Sequence, residues 1–558
     1  MNSFPRNYWY AAWAIVAVAY IAGLFIDIMD IDAAQYALIA KEMYHNHSYL
    51  EVYLQGSDYL DKPPLLFWTA VLFFKIFGVY DWAFRLPSIL ITILGIYSTY
   101  RFTKLYYPES TARLAALISA SCQAFFLMNH DIRTDSLLTG LVSFTFWQMA
   151  EFDKSNKLKY ILLAGLGVGL AMLSKGPIGL VVPGTAFLFH YLLNQDWKKI
   201  LRWQYLPALV IIGLVLLPMS YGLYTQFDLH PEKIVYDLKG PSGLRFFYWT
   251  QSFGRITGEI YWNNHPDTFF LVHNFMWSFL PWSLLFMVAF FVSLVDKIKQ
   301  LIRKETNVEW ITTAGFLLIF IFLSMSNYQL PHYTFVIHPL AAIILASFID
   351  SRVLNSIGLR KTLIVLFLFT VVGILTVGIF MFGVYFTQHA VFSFTLFIGI
   401  SGLAIYTLFK KSIDYSLRLV IAGAMLIGVT NIILNSVTYP QILKFQSYSM
   451  IAKYVNEQAK SGTENKLIFY KIDPYFAGEF YSNATVHKEG NLSNLSKLLI
   501  PGKSWIVTDS LHKDEVIRLF PYKQEKVFQD YHVSTLKPDF LNPLKRNNVV
   551  ESRYLLTY

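Results

Sequence analysis

The chain has 558 residues, of which 55% are hydrophobic, 17% aromatic and only 15% charged, with a formal net charge of +10. That balance excludes an ordinary water-soluble globule, whose surface needs more charge, so most of the chain must face lipid. The positive excess is accounted for by basic residues kept on cytoplasmic loops rather than by nucleic-acid binding, and the single cysteine, Cys122, leaves neither a disulfide framework nor a cysteine-ligated metal site.

After Arg6 an apolar stretch runs from about Tyr8 to Ile26. Ala17-Val18-Ala19 resembles a signal-peptide cleavage site, but the run continues to spanning length, which favours an uncleaved anchor. Apolar runs then recur to about residue 438, and the gaps between them alternate in character. Every second gap is basic: Arg101, Lys104 and Arg113; Lys154, Lys157 and Lys159; Lys198, Lys199 and Arg202; and so on to Lys410, Lys411 and Arg418. With those gaps in the cytoplasm, the pattern predicts about thirteen spans, a cytoplasmic N-terminus and an extracytoplasmic C-terminal domain. The division is residues 1–438 for the membrane domain, with long extracytoplasmic loops at 27–81 and 225–268, and 439–558 for a small α/β domain. In that domain Tyr448–Lys460, Pro474–Tyr481 and Leu511–Leu519 read as helices, and Lys466–Lys471 and Trp505–Thr508 as strands.

The alternate gaps collect the chemistry-bearing residues. Asp30 and Asp32 open a helical run; one caps it and the other, Asp32, is the better candidate to accept a proton from an attacking hydroxyl. Asp131 and Asp135 are four apart, as on one helix face, with Arg133 pointing elsewhere. Asp135 lies deeper, where an ionised group needs a partner. Lys62 stands before Pro63-Pro64 and an apolar segment to Phe77, too short for a confident span and read as an interfacial helix. An ammonium there suits a phosphate. Lys175 in Ser-Lys-Gly-Pro is a similar lone cation, and Arg85 and Arg255 are candidates to help hold phosphate. Many spans and charged residues also suit a transporter or flippase, but the charges gather at one face with no polar path through the spans.

Several of these segments resemble motifs of the bacterial aminoarabinose transferase and protein O-mannosyltransferase superfamily. Asp32-Ala33-Ala34-Gln35-Tyr36-Ala37 is similar to its first-loop motif, with Ala33 in place of a second acid. Tyr59 to Pro64 resembles its Tyr-x-Glu-Lys-Pro, Arg133-Thr134-Asp135 its second-acid loop, Ser174 to Pro177 its Thr-Lys-Gly-Pro, and Gln329-Leu330-Pro331-x-Tyr333 its Lys-Leu-Pro-x-Tyr. The resemblance implies a polytopic helical membrane protein of the C-type glycosyltransferase fold. It also implies transfer of a sugar from a polyprenyl (undecaprenyl) phosphate to lipid A, another glycolipid or a protein hydroxyl, with inversion. On it, Asp32 and Asp135 are the catalytic acids and Lys62 binds the donor phosphate, beside the cations Arg85, Lys175 and Arg255 read from the residues themselves. Asp30, Tyr36, Arg133, Gln329 and Tyr333 support them, and Asp61 with His265 would hold a divalent metal, zinc or magnesium.

Overall fold

The computed structural model describes residues 6–257, 259, 264, 266–353, 356–385, 390–459 and 464–558. In chain order its membrane part begins α1 (Arg6–Leu24), α2 (Asp32–Asn46), α3 (Leu65–Phe77), α4 (Asp81–Tyr106), α5 (Glu109–Ala120), α6 (Gln123–His130), α7 (Thr134–Ser155), α8 (Leu158–Lys175), α9 (Ile178–Leu193) and α10 (Tyr205–Leu223). It continues with α11 (Phe270–Ser278), α12 (Ser283–Ile302), α13 (Ile311–Ser324), α14 (His338–Ser351), α15 (Ile357–Ile379), α16 (Ala390–Phe409) and α17 (Tyr415–Ile433). Among the described residues eight helical segments are long and apolar enough to cross a bilayer, and ten if α5–α6 and α11–α12, bent by 47° and 116°, each count as one. The expected thirteen is reached only if three more helices cross. These are α7, which carries Asp135, Glu151, Asp153 and Lys154, and the shorter α9 and α13, about 24 and 21 Å long. A reading of apolar runs counts these alike because it sees neither the bends nor the lengths. At about 20 Å, α3 is too short to cross.

The basic gaps share one end of the bundle. There Lys410 donates to the Tyr8 hydroxyl at 2.5 Å, Arg101 pairs with Glu151 at 3.2 Å and Lys199 with Asp153 at 3.1 Å. α4 and α7 approach closely through glycine, since a Cβ on Gly95 would stand 2.7 Å from the Cα of Gly140; small residues permit such backbone contact in lipid.

At the other end sits the C-terminal layer: α18 (Ser447–Gln458) against strands β1 (Lys466–Tyr470), β2 (Thr485–Glu489), β3 (Ser504–Asp509), β4 (Gln524–Asp530) and β5 (Glu551–Thr557). The sheet order is β2-β1-β3-β5-β4, with β1 parallel to β2 and β3, and β5 antiparallel to β3 and β4. Apolar runs in the sequence mark only β1 and β3, which are buried; the third inner strand, β5, begins with Glu551-Ser552-Arg553 and is buried only at Leu555 and Leu556. β2 and β4 are half-exposed flanking strands rich in charge, and without an apolar run they carry no strand signal.

This layer grips the first loop. Lys41 donates to the carbonyls of Glu479, Phe480 and Ser482 at 2.8–3.0 Å, Lys453 pairs with Asp27 at 2.5 Å, and the Tyr481 hydroxyl accepts from Ile28 N–H and donates to Asp81. Asp30 is buried at the seam, accepting from Ala477 N–H at 3.0 Å while its own N–H donates to Gln446 at 2.9 Å. Burial, offset by the Ala477 bond and reinforced by nearby Asp530, pushes its carboxyl from 3.8 up to about 7. Protonated Asp30 therefore contributes stability that is complete below pH 3.8 and is lost as pH rises through about 7. Asp30→Asn keeps an acceptor and cannot ionise, so its melting temperature relative to wild type is expected to rise between pH 5 and pH 8. Parallel melting curves across that window would refute the assignment.

Candidate functional site

Three chain breaks aim the polar side chains at one place. Asp32 is the first residue of α2. Arg133 is extended, with φ −129° and ψ 165°, between the end of α6 and the start of α7, so Asp135 falls in the first turn of α7, where the helix dipole favours its charge. Asp131 and Asp135 thus do not share a helix face, because the helix breaks between them. In the third break, Lys175 ends α8, Gly176 turns at φ +83° and Pro177 precedes α9. A left-handed glycine followed by proline is a strong stop-and-restart signal.

The ion pairs divide into two sets. Arg133 donates to Asp32 Oδ2 at 2.5 Å and to Asp131 Oδ2 at 3.1 Å. Although burial works against its charge, Asp131 and Asp32 hold the guanidinium above the ordinary arginine value. Deeper in, Lys175 Nζ donates to Asp135 Oδ1 at 2.5 Å and lies 4.7 Å from the centre of the Tyr333 ring. His332 joins the sets, with Nδ1 3.4 Å from Arg133 and Nε2 3.7 Å from Asp135 Oδ2. Lys62 pairs with Asp61 at 2.7 Å, and Gln251 donates to the Asp61 carbonyl and, at 3.3 Å, to its carboxylate. Tyr36 is buried beside them. Burial, then Asp32 and Asp61, raises its phenol well above the usual value, so it stays neutral. The Asp32 side chain is 40% exposed and that of Asp135 only 3%. Asp32 is therefore open to the chamber, and Asp135 is buried against Lys175.

Two cavities meet here. One is polar, lined by Asp32, Tyr36, Asp61, Arg133 and Tyr328; the other, of about 880 Å³ and partly open, is largely apolar, lined by Leu138, Ile178, Val181, Phe253, Phe322 and Val336. Lys62, Asp135 and His332 belong to both, and Lys175 lies on the apolar side. The arrangement sets two lysines, each paired with an aspartate, where the apolar cavity meets the polar one.

Other expected residues stand elsewhere. Arg85 is fully buried, and its guanidinium donates to the carbonyls of Leu24, Ile26, Asp27 and His130, so it shapes the first loop and is not available to a phosphate. Arg85→Met should leave those carbonyls without donors and lower stability by at least about 2 kcal/mol, read by thermal unfolding in detergent; wild-type stability would count against this role. Gln329 turns away to donate to the carbonyls of Ser324 and Ser326, at the end of α13. Asp30 faces the C-terminal layer. The side chain of Arg255, and His265, lie outside the described residues. Among the described residues no three His, Cys, Asp or Glu side chains cluster as a metal site, and Asp61 is engaged by Lys62 and Gln251. Sequence reasoning gave no role to Gln251 and weighed His332 only as one of several loop histidines that could join Asp61 on a metal; a lone histidine or glutamine in a loop carries no spacing signal.

The fold and site define a polytopic helical membrane protein in which an apolar and a polar cavity meet at Lys62, Asp135 and His332. Residues 61–221 match the family described as dolichyl-phosphate-mannose-protein mannosyltransferase. An uncharacterized protein of Aquifex aeolicus is 25% identical over 513 residues, covering 90% of this chain and 94% of that one. The undecaprenyl phosphate-alpha-4-amino-4-deoxy-L-arabinose arabinosyl transferase of Pseudomonas aeruginosa is 25% identical over 364 residues, 62% of each chain, so that match spans under two thirds of the enzyme. The crystal structure of ArnT from Cupriavidus metallidurans bound to undecaprenyl phosphate superimposes with a TM-score of 0.71 at 16% identity, covering 97% of this chain and 96% of that one. The chain is thus similar to that mannosyltransferase family over residues 61–221, and it shares its fold with the aminoarabinose transferase structure over nearly its whole length.

Proposed function

We propose that the protein is a glycosyltransferase that moves a sugar from a polyprenyl phosphate to an acceptor outside the cytoplasm, with lipid A or another envelope glycolipid as the first choice. The observation that carries this reading is the junction itself, where an apolar cavity opens past Lys62 and Lys175 into a polar chamber bearing Asp32. The relatives named for undecaprenyl phosphate support the donor class. In the reaction an acceptor oxygen attacks the anomeric carbon. The bond from that carbon to the phosphate oxygen breaks, and the electron pair leaves with the polyprenyl phosphate, whose charge Lys62 and Lys175 balance. A single displacement of this kind inverts the anomeric centre. If the acceptor is a hydroxyl, its proton passes to Asp32; if it is an already ionised phosphate oxygen, Asp32 serves instead to stabilise positive charge on the sugar.

The family matched by residues 61–221 favours a protein hydroxyl as the second acceptor reading. Gathering of basic residues at the end of the bundle opposite the chamber supports placement in a bacterial inner membrane, with chamber and C-terminal layer on the periplasmic side.

Membranes carrying wild type or Lys62→Ala, supplied with radiolabelled polyprenyl-phosphate sugar, test the reading. Loss of about 10²–10³-fold in transfer is expected for the variant; undiminished transfer would remove the site. Mass spectrometry of lipid A and of glycoproteins from a deletion strain identifies the acceptor.

A further inference from the structure

A third cavity lies at the opposite end of the molecule. It is a groove of about 780 Å³, partly open, between α8, α9 and α10, lined by Ile161, Val168, Gly184, Leu188 and Ile212 and ending at Tyr191 and Tyr205. α8 and α10 belong to candidate membrane spans, so the groove faces hydrocarbon. Its polar end is the turn linking α9 to α10. There the Tyr205 hydroxyl donates to the Lys199 carbonyl at 3.0 Å, and Lys199 Nζ stands 5.7 Å from the centre of the Tyr191 ring.

That turn combines three cations with exposed apolar residues. Lys199 pairs with Asp153 and Asp196, and Arg202 lies 3.7 Å from Asp153. Lys198 is exposed and makes no ion pair among the described residues, so three cations face two carboxylates. Trp197, Leu201 and Trp203 are 61%, 87% and 65% exposed. Exposed tryptophans beside lysines mark headgroup depth, and surplus positive charge there selects anionic lipid.

We infer that this groove binds an anionic diacyl phospholipid of the leaflet at the basic end, with a chain along α8, α9 and α10 and the phosphate at Lys198. A sugar donor is not the occupant. Asp135 and Asp153 are eighteen residues apart on α7 and so about 27 Å apart, which keeps a headgroup at the basic turn away from the chamber.

The test is native mass spectrometry of the purified full chain from micelles holding phosphatidylglycerol and phosphatidylethanolamine in equal amounts. Wild type is expected to retain phosphatidylglycerol preferentially. Lys198→Glu should lower that preference by at least about fivefold. A Cβ at Gly184 meets no atom within 4 Å, so Gly184→Leu should fill the groove and reduce retention of both lipids. Equal retention of the two lipids by wild type, a preference unchanged in Lys198→Glu, or polyprenyl phosphate as the retained species would overturn the inference. If Gly184→Leu does not fold, the Lys198→Glu comparison decides alone.

Discussion

Asp32→Asn is expected to reduce kcat for sugar transfer by about 10²–10⁴-fold while leaving the donor KM nearly unchanged. The carboxylate is the most exposed acid of the chamber's ion-paired set, and Arg133 holds only one of its oxygens, Oδ2, at 2.5 Å. Asparagine keeps the shape and an acceptor for Arg133 but removes both the charge and the basic site. The pH profile separates the two roles. A hydroxyl acceptor makes Asp32 a base, so wild-type kcat should fall on the acid side and the variant should lack that limb. An ionised phosphate acceptor leaves the wild-type profile flat there while the loss in kcat remains. An Asp32→Asn protein with wild-type kcat would remove the residue from the chemistry altogether.

The second large effect concerns the pair beneath it. Asp135, with a side chain only 3% exposed, holds Lys175 at 2.5 Å. Removing one member of a buried pair leaves a desolvated charge, so Lys175→Met should cost about 3–5 kcal/mol in stability and transfer should be lost with it. The double variant Lys175→Met, Asp135→Asn removes both charges, and most of the stability should return while transfer stays absent. Urea unfolding in detergent measures the first quantity and the labelled-donor assay the second. If the double variant were as unstable as the single one, the pair would not be the source of the cost. If it transferred sugar, the phosphate at the junction would not depend on Lys175.

Gln251 and His332 show how the site depends on elements far apart in the chain. Gln251 reaches Asp61 from the second long loop, and His332 reaches both Arg133 and Asp135 from the turn before α14. Neither residue type is unusual in a loop. They meet the site only because two loops, separated by α11, α12 and α13, fold over the same chamber.

The amino-acid sequence by itself determined that the chain lives in a membrane, since apolar runs of spanning length recur with few charges and their basic gaps alternate. It also marked the gaps whose polar residues meet, because lone acids and cations beside Gly-Pro and Pro-Pro breaks are costly near lipid unless they have partners. Tertiary structure decided the partners. Arg85 and Lys62 look alike in sequence as cations near the start of a helix, yet one is consumed by backbone carbonyls and the other lines two cavities. Asp30 and Asp32 are two residues apart and face different bodies, a seam with the C-terminal layer and the open chamber. The reason is geometric: local sequence sets where the backbone turns, but which groups come within hydrogen-bond distance depends on packing between segments hundreds of residues apart.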